Sequence, residues 1–315
     1  MLYNLKANSK VLVIGDIMVD HYIYGSCDRI SPEAPVQVVN IKNDAHTLGG
    51  AGNVVKNLKT LNCDVEIVSV VGNDEAADVI EQQLKDLNTP SDGIFKDKSR
   101  CTTLKSRVLV HNHQLIRLDR EDTLTIANEV ADEIFDKLSG KIKNYDIVLF
   151  SDYNKGMLSG YLLERLLKAC RDANVKTLID PKGNDYSKYK GASIVKPNKK
   201  EAIIASGVNI VDNDSLKAAC EIIKQVANCD DVIITMSEDG MAVFSEGKLT
   251  TIPTKALDVV DVTGAGDTVL ASLGVALASG KNLREACDFA NHAAAVVVSK
   301  VGSATVTLDE INNII

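Results

Sequence analysis

The feature that most constrains the fold is a regular alternation of buried strands with amphipathic helices. Apolar, β-branched runs predict strands at Val11–Gly15, Val65–Val71, Asp146–Ser151, Lys176–Asp180, Ser193–Val195 and Asp231–Thr235. Helical spacing of apolar residues predicts helices over Gly52–Leu61, Glu75–Leu87, Ile126–Leu138, Gly160–Ala173 and Asp214–Ala227. Such alternation produces a mostly parallel sheet with helices on both faces, so the predicted fold class is α/β.

A second group of short strands in the first half of the chain falls outside this alternation. The segments are His21–Gly25, Val36–Ile41, Thr102–Val110 and Gln114–Asp119, with His111, Asn112 and His113 as a turn. They predict a small β lid built from about residues 20–42 and 100–119, able to cover a site. From Gly264 to Thr305 the chain is predicted to be almost wholly helical. No linker or repeat divides it, so we expect a single domain over residues 1–315.

Composition excludes several classes of protein. Lys and Arg number 35 against 43 Asp and Glu, and the net charge of −8 argues against a nucleic-acid partner. The N-terminus lacks the apolar core of a signal peptide, and the apolar run around residues 269–278 is too short for a membrane span, so we expect a cytoplasmic protein without a membrane partner. The seven cysteines form no CxxC pair, and His21, His46 and His292 lack metal-ligand spacing and receive no role.

The strongest local motif is Asp-Val-Thr-Gly-Ala-Gly-Asp-Thr at residues 261–268, directly before an apolar run. Small residues at a helix start expose backbone N–H groups, and the helix dipole favours an anion there. A carboxylate repels nearby phosphates, so its presence here indicates a function such as accepting a proton from an attacking hydroxyl. Asp267 therefore fits either a proton acceptor or a simple helix cap.

The common nucleotide-binding motifs do not match. The third glycine of GxGxxG is replaced by Val55 after Gly50 and Gly52, and by Val269 after Gly264 and Gly266. No Gly-Lys pair is followed by the Ser or Thr of a P-loop.

Two more clusters stand at predicted strand ends or helix starts. Asp16 and Asp20 follow the first strand, where their carboxylates could accept hydrogen bonds from the vicinal hydroxyls of a polyol. Two solvated aspartates in a loop would give the same sequence pattern. Gly49-Gly50-Ala51-Gly52-Asn53 opens the next helix, and taken alone it fits a tight turn.

Taken together, these motifs resemble the ribokinase-like sugar kinases of the PfkB family in identity and order, over essentially the whole chain. The match includes Asn198-Lys199-Lys200-Glu201 after a strand. The resemblance implies a three-layer α/β/α sandwich with a β-sheet lid, and ATP with Mg²⁺ as cofactors. It implies that Asp267 is the catalytic base, that the backbone of Gly264, Ala265 and Gly266 is the anion hole, and that Asn198 and Glu201 lie near the phosphates and Mg²⁺. The resemblance also implies sugar contacts at Asp16, Asp20, Gly49, Gly50 and Asn53.

Four further segments resemble the members of this family that phosphorylate D-glycero-β-D-manno-heptose 7-phosphate at its anomeric hydroxyl. They are Arg29–Val36, Gln114–Asp119, Ser151–Gly156 and Ile179–Gly183. The resemblance implies a heptose 1,7-bisphosphate product for ADP-heptose and lipopolysaccharide core synthesis, and it adds Asp152 to the substrate site. The alternatives are another sugar or nucleoside kinase of the family, or a non-catalytic sugar-phosphate-binding protein.

An acidic protein that holds an anionic sugar needs a few placed cations. Arg107, Arg117, Lys155 and Lys182 lie on the predicted lid or near strand ends, although each alone also fits a solvated surface cation.

The remaining expectations follow from the resemblance. Thr235, Ser237 and Gly240 match the loop at the nucleotide edge, and Asn291 lies where the family contacts the adenine side. Lid strands in this family commonly pair between two subunits, which implies a homodimer. We expect the adenylyltransferase half that many relatives carry to be absent from this chain, because only His111 and His113 are close together and they lack its motif.

Overall fold

A computed structural model gives the structure of the chain and describes residues 3–111, 113–255 and 258–314. The strands are β1 (Lys10–Gly15), β2 (Ile17–Ile30), β3 (Gln37–Gly50), β4 (Asp64–Val71), β5 (Ile94–Lys96), β6 (Leu104–Val110), β7 (His113–Arg120), β8 (Ile147–Ser151), β9 (Lys176–Asp180), β10 (Ile194–Val195), β11 (Asp231–Thr235), β12 (Met241–Ser245) and β13 (Lys248–Ile252). The helices are α1 (Ala51–Thr60), α2 (Glu75–Asp86), α3 (Asn128–Ser139), α4 (Gly160–Asp172), α5 (Lys199–Ser206), α6 (Asn213–Ala227), α7 (Ala265–Ala278), α8 (Leu283–Val298) and α9 (Leu308–Asn312). Every strand and helix predicted from the alternation is present.

The large sheet has nine strands in the order β13-β12-β11-β10-β9-β8-β1-β4-β5. From β5 to β11 all neighbours are parallel, whereas β12 and β13 add an antiparallel hairpin at one edge. The predicted helices α1, α2, α3, α4 and α6 lie in crossovers between parallel strands, whereas β9 is joined to β10 by a segment with one 3₁₀ turn at Ser187–Tyr189.

The core divides into two halves, one on each face of the large sheet. Alternate side chains of β1 point to opposite faces, so Val11 and Val13 join one apolar cluster while Leu12 and Ile14 join the other. The first cluster is closed mainly by α1, α2, α7 and α8, and the second by α3, α4 and α6. Helix, sheet and helix therefore form three layers.

The segments predicted as a lid form a separate four-stranded sheet in the order β3-β2-β6-β7, called the small sheet below. Strands β2 and β3 pair antiparallel along almost their whole lengths, and β6 runs parallel to β2. The predicted turn between β6 and β7 includes Asn112, which lies outside the described residues.

One prediction about the C-terminal region is wrong in part. Helices α7 and α8 lie within the stretch predicted as helical, but residues 299–304 are not helical. The Gly302 N–H donates to Asp261 Oδ2 at 2.9 Å, and Lys56 Nζ donates to the Ser303 carbonyl oxygen at 3.3 Å. These bonds hold the segment as a loop beside the motif at residues 261–268.

Candidate active site

The strand order places a crevice at the carboxyl end of β1. Strand β1 lies between β4 and β8, so the chain leaves it toward one side and later returns on the other. Ligands of open α/β sheets bind at such a reversal. Asp16 follows β1, Asp152 follows β8, and Asp180 ends β9, so three acidic residues meet at this edge.

Helix α7 begins at this crevice with an uncapped end. Gly264 is its N-cap residue, with φ of +76°, and no side chain caps the helix. The first N–H groups of a helix have no partners inside it, and together with the helix dipole they attract an anion. A Cβ on Gly264 would lie 2.7 Å from Asn53 Nδ2, so glycine supplies both the φ value and the space. The segment Gly264–Gly266 thus has the geometry of an anion cradle.

Asp267 is the third residue of α7 and is buried. Its carboxylate accepts a hydrogen bond from Asn53 Nδ2 at 2.9 Å and another from the Tyr153 hydroxyl at 2.6 Å. The N-cap position belongs to Gly264, so the helix-cap interpretation of Asp267 does not describe its contacts. The two side chains hold the carboxylate in place beside the cradle.

Burial sets the proton affinity of Asp267. Loss of solvent raises the pKa of its carboxyl to about 6, although the hydrogen bonds from Tyr153 and Asn53 favour the ionised form and lower that pKa. Burial and the neighbouring Asp267 charge raise the pKa of Tyr153 well above its ordinary value, so this hydroxyl remains a donor. At neutral pH the site therefore holds an ionised but unusually basic carboxylate.

Asp16 connects the end of β1 to the segment after β8. Its Oδ2 accepts the backbone N–H of Tyr153 at 2.8 Å and that of Lys155 at 3.1 Å. Burial, reinforced by the charge of Asp152, raises the pKa of Asp16 to about 6. By fixing this backbone, Asp16 also fixes the position from which Tyr153 reaches Asp267.

Asp152 lies beside Asp16, but its oxygens are occupied by protein groups. Oδ2 accepts from the Tyr189 hydroxyl at 2.7 Å and from Lys188 Nζ at 2.6 Å, while Oδ1 accepts the Asn154 N–H at 2.6 Å. These bonds anchor the segment that follows β8. Its predicted substrate contact stays a prediction.

Asp20 and Arg107 form an ion pair on the small sheet. Arg107 donates to Asp20 Oδ1 at 2.6 Å, and its guanidinium lies 5.3 Å from the centre of the Tyr22 ring. A Cβ on Gly49 would lie 2.3 Å from Asp20 Oδ2, which explains why a residue without a side chain stands there. Gly50 is the N-cap residue of α1, the helix that carries Asn53.

The other predicted cations also have carboxylate partners. Lys155 contacts Glu121 at 2.8 Å, and Arg117 contacts Asp119 at 3.0 Å. Lys182 contacts Glu201 at 2.7 Å. Lys182 therefore forms an ion pair with Glu201, the predicted metal residue, whereas Arg107 forms one with Asp20, a predicted sugar residue.

The predicted nucleotide residues gather at the ends of β10 and β11. Asn198 and Glu201 form a reciprocal capping box at the start of α5, and Asn198 bridges to Thr235 at the end of β11. Ser237 and Gly240 bound the turn that follows. Asn291 on α8 is buried and donates to the Pro253 carbonyl oxygen.

Sequence reasoning gave no role to three residues in or beside the crevice. Tyr153 bonds Asp267 directly, and its sequence signals were its place shortly after the buried strand that ends at Ser151 and its inclusion in the resembling segment Ser151–Gly156. Lys196 is buried and pairs with Asp180 at 3.0 Å. Burial lowers the pKa of Lys56, against the opposing charges of Asp20 and Asp267. A single lysine on a helix gives no sequence signal of this kind.

Comparison with known proteins identifies the family. Residues 8–310 match the sequence profile described as pfkB family carbohydrate kinase. The chain belongs to the pfkB carbohydrate kinase family. The predicted family and its carbohydrate-kinase class are thereby confirmed.

Relatives of this pfkB-family kinase include proteins named bifunctional protein HldE. The Campylobacter fetus protein is 51% identical over 96% of this chain and 66% of its own length. The Helicobacter hepaticus protein is 47% identical over 98% of this chain and 64% of its own length. The chain thus spans a little under two thirds of the length of these relatives.

A solved structure confirms the fold class. Arabidopsis thaliana ribokinase, complexed with ribose and ATP, superposes with a TM-score of 0.75 at 21% identity, covering 98% of this chain and 99% of the ribokinase. The kinase therefore has the ribokinase-like three-layer fold that the sequence predicts. No helix within the described ranges is long and apolar enough to span a bilayer.

Proposed function

We propose that this kinase transfers the γ-phosphoryl group of ATP to a sugar hydroxyl, with Asp267 as the base. The observation that carries the proposal is the buried carboxylate of Asp267, held by Asn53 and Tyr153 at the uncapped start of α7. In an in-line transfer Asp267 takes the hydroxyl proton, and the amides of Gly264–Gly266 bind the charge that develops on the phosphoryl oxygens.

We assign the acceptor as D-glycero-β-D-manno-heptose 7-phosphate, phosphorylated at C1. The four segments noted in the sequence and the similarity to HldE proteins support this assignment. Asp16, Asp20 and Asn53 would contact the sugar hydroxyls, Asn53 being the one that bonds Asp267, and Arg107, which pairs with Asp20, would bind the sugar's own phosphate. The product would serve ADP-heptose and lipopolysaccharide core synthesis.

The residues near the carboxyl ends of β9 and β10 suit Mg²⁺ with ATP. Both oxygens of Glu201 already accept hydrogen bonds, from Lys182 and from the Asn198 N–H, and Asp180 pairs with Lys196. Mg²⁺ commonly keeps several waters and uses one or two carboxylates with substrate phosphates, so Glu201 and Asp180 would hold it through water. When bound, the ion would neutralise phosphate charge. Asn198, Thr235, Ser237, Gly240 and Asn291 would contact the nucleotide.

The small sheet is assigned as a lid and as the contact between two copies of the chain. Its strands leave apolar side chains exposed, among them Ile30, Ile41, Ile116 and Leu118. Exposed apolar side chains that form one patch on a sheet are typical of a protein interface. We place the protein in the cytoplasm, where ATP is available, with no nucleic-acid or membrane partner.

A coupled ADP-release assay tests the reaction and its acceptor together. The acceptors are heptose 7-phosphate, free heptose, ribose, fructose 6-phosphate and a nucleoside, and ³¹P NMR identifies the phosphorylated position. We expect kcat/KM for heptose 7-phosphate to exceed every other value by about 100-fold or more, because only its phosphate gives the cations of the site a charged group to bind, an interaction that free heptose lacks. A better acceptor among the others would overturn the substrate, and no turnover with any of them would favour the non-catalytic alternative.

Variants separate the residues of the site. Asp267→Asn should lose about 10²–10⁴ in kcat while ATP and heptose phosphate still bind. Of the substitutions Arg107→Gln, Arg117→Gln, Lys155→Gln and Lys182→Gln, the first should most reduce the preference for heptose 7-phosphate over free heptose. Lys168→Gln, at an exposed pair with Asp172, is the control. An unchanged preference in all four would remove these cations from the site.

A further inference from the structure

Two histidines and an aspartate meet on the small sheet although 25 residues separate the first from the last. His21 on β2 is directly opposite His46 on β3, and Asp44 lies two residues before His46 on the same strand. Residues two apart on a strand share a face, and so do directly paired residues. The pairing register therefore brings all three side chains to one face of the sheet.

The three side chains are close enough to share one ion. One ligand atom from each lies within 4.8 Å of the others, and His21 Nε2 is 3.1 Å from Asp44 Oδ2. The two imidazole rings stack with centres 4.2 Å apart. Tetrahedral zinc, with bonds of about 2.0–2.2 Å, separates its ligand atoms by about 3.3–3.5 Å. The His21–Asp44 pair, at 3.1 Å, is a few tenths of an ångström closer than this, and Asp44 and His46 are both exposed, so their side chains can shift to admit the ion.

His21 has the second hydrogen bond typical of a metal ligand. Its Nδ1 lies 3.0 Å from the Ser106 hydroxyl on β6, which leaves Nε2 directed toward Asp44. Such a partner on the far nitrogen fixes the ring orientation. The His46 backbone is also held, because its carbonyl oxygen accepts from Gln83 Nε2 at 2.8 Å. Two strands and their neighbours thus support the cluster.

The cluster is separate from the proposed active site. Asp20 and Arg107 alternate with His21 and Ser106 along β2 and β6, so their side chains point to the opposite face of the small sheet. Asp44 is 56% exposed, which leaves the cluster open to an ion from solvent.

We propose that His21, Asp44 and His46 bind one divalent transition-metal ion per chain, with Zn²⁺ as the first candidate. Two imidazoles and a carboxylate form a donor set that suits Zn²⁺, and water fills the fourth position. The bound ion would join β2 to β3 at the base of the small sheet. Its effect is therefore to stabilise this hairpin.

Titration of the purified, metal-free protein with Zn²⁺ against a chromophoric chelator tests the site. We expect one tight equivalent per chain, and a rise of about 3–8 °C in apparent Tm when free Zn²⁺ exceeds Kd by about 100-fold. Co²⁺ should give visible d–d absorption without the near-ultraviolet band of a thiolate ligand. The absence of that band would exclude Cys27 and Cys101 as the metal ligands.

Exposed positions provide variants that should keep the fold. His46→Ala and Asp44→Asn should each weaken Zn²⁺ binding by about tenfold or more and remove the Tm rise. His113→Ala, an exposed histidine on β7 outside the cluster, is the matched control. Equal Zn²⁺ affinity in His46→Ala and His113→Ala, or no equivalent bound by the unaltered protein, would overturn the proposal and leave His21 and Asp44 as an ordinary hydrogen-bonded pair.

Discussion

Asp267 has a raised pKa that makes two measurements depend on pH. Its carboxyl titrates at about 6 in the folded protein and near 3.8 in the unfolded chain. If Asp267 is the base, kcat/KM should fall about tenfold per pH unit below pH 6, because a protonated carboxyl cannot take the proton of the sugar hydroxyl. A kcat/KM profile with no decline down to pH 5 would remove Asp267 from proton transfer.

The same shift predicts the sign of a stability change. Between pH 3.8 and about 6 the folded state binds a proton that the unfolded chain has released, so the free energy of unfolding falls as pH rises through this window. Asp267→Asn should abolish that contribution and stabilise the protein at pH 7, by up to about 3 kcal/mol for a shift of this size. Urea unfolding at pH 4 and pH 7 measures it, with Asp214→Asn on the exposed side of α6 as control. Identical pH dependence in the two variants would contradict the burial argument.

Tyr153 positions the base through its 2.6 Å hydrogen bond. Tyr153→Phe removes a donor that favours ionised Asp267, so the acid limb of kcat/KM should move to higher pH and the rate at pH 7 should fall by about tenfold. Tyr161→Phe removes a similar hydrogen bond, to Asp132 on the protein surface, and should change neither the acid limb of kcat/KM nor the rate at pH 7. A lower rate with an unmoved limb would indicate a merely structural role for Tyr153.

At the scale of single residues, the sequence identified the motif but not the contacts. The small residues before Asp267 predicted that it lies at the start of a helix. Its role as helix cap or as proton acceptor stayed open, because both roles fit the same local sequence. The structure separates them through Asn53 and Tyr153, which are distant in sequence. The surroundings of Lys56 and the cluster of His21, Asp44 and His46 could not be predicted for the same reason, since no local pattern encodes which side chains distant in sequence come together.

At the scale of elements, the junction of β3 and α1 depends on a close approach. Gly49→Ala should displace the Asp20 carboxylate, because its Cβ would lie 2.3 Å from Asp20 Oδ2. We expect KM for the sugar to rise by about tenfold while KM for ATP is unchanged. Gly140→Ala at the end of α3, where nothing lies within 4 Å of the new Cβ, is the control. Equal changes in both KM values would indicate general damage rather than loss of a sugar contact.

The long periodic elements were predictable, whereas the edge strands β5 and β13 were not. Each buried strand of the parallel sheet is an apolar run, which is why the predicted elements are all present. Strand β5 has three residues, and β13 is mostly solvent-accessible, so neither carries an apolar run of its own. The small-sheet strands β2 and β3 are longer than predicted because their polar outer halves are stabilised by pairing with each other, which local sequence does not report.

At the scale of the whole molecule, the net charge of −8 makes chance association of two copies unfavourable, so a dimer needs a specific apolar contact. The small sheet offers one, since Ile41 is 66% exposed and Ile116 is 49% exposed. A stable interface buries about 1,600 Å² in total and loses affinity when a charge enters its centre. Ile41→Lys with Ile116→Lys should therefore raise the dimer dissociation constant by about 100-fold or more.

Light scattering across a concentration series measures that constant. Ile204→Lys places the same charge on an equally exposed isoleucine of α5, outside the small sheet, and should leave the dimer intact. If the lid strands of one copy also form part of the crevice of the other, the sugar KM of the double variant should rise in proportion to the fraction of monomer. The urea unfolding transition of each chain should stay cooperative, which shows that the variant is still folded. A dimer that survives both substitutions would place the contact elsewhere, and a protein that is monomeric before any substitution would remove the lid interface altogether.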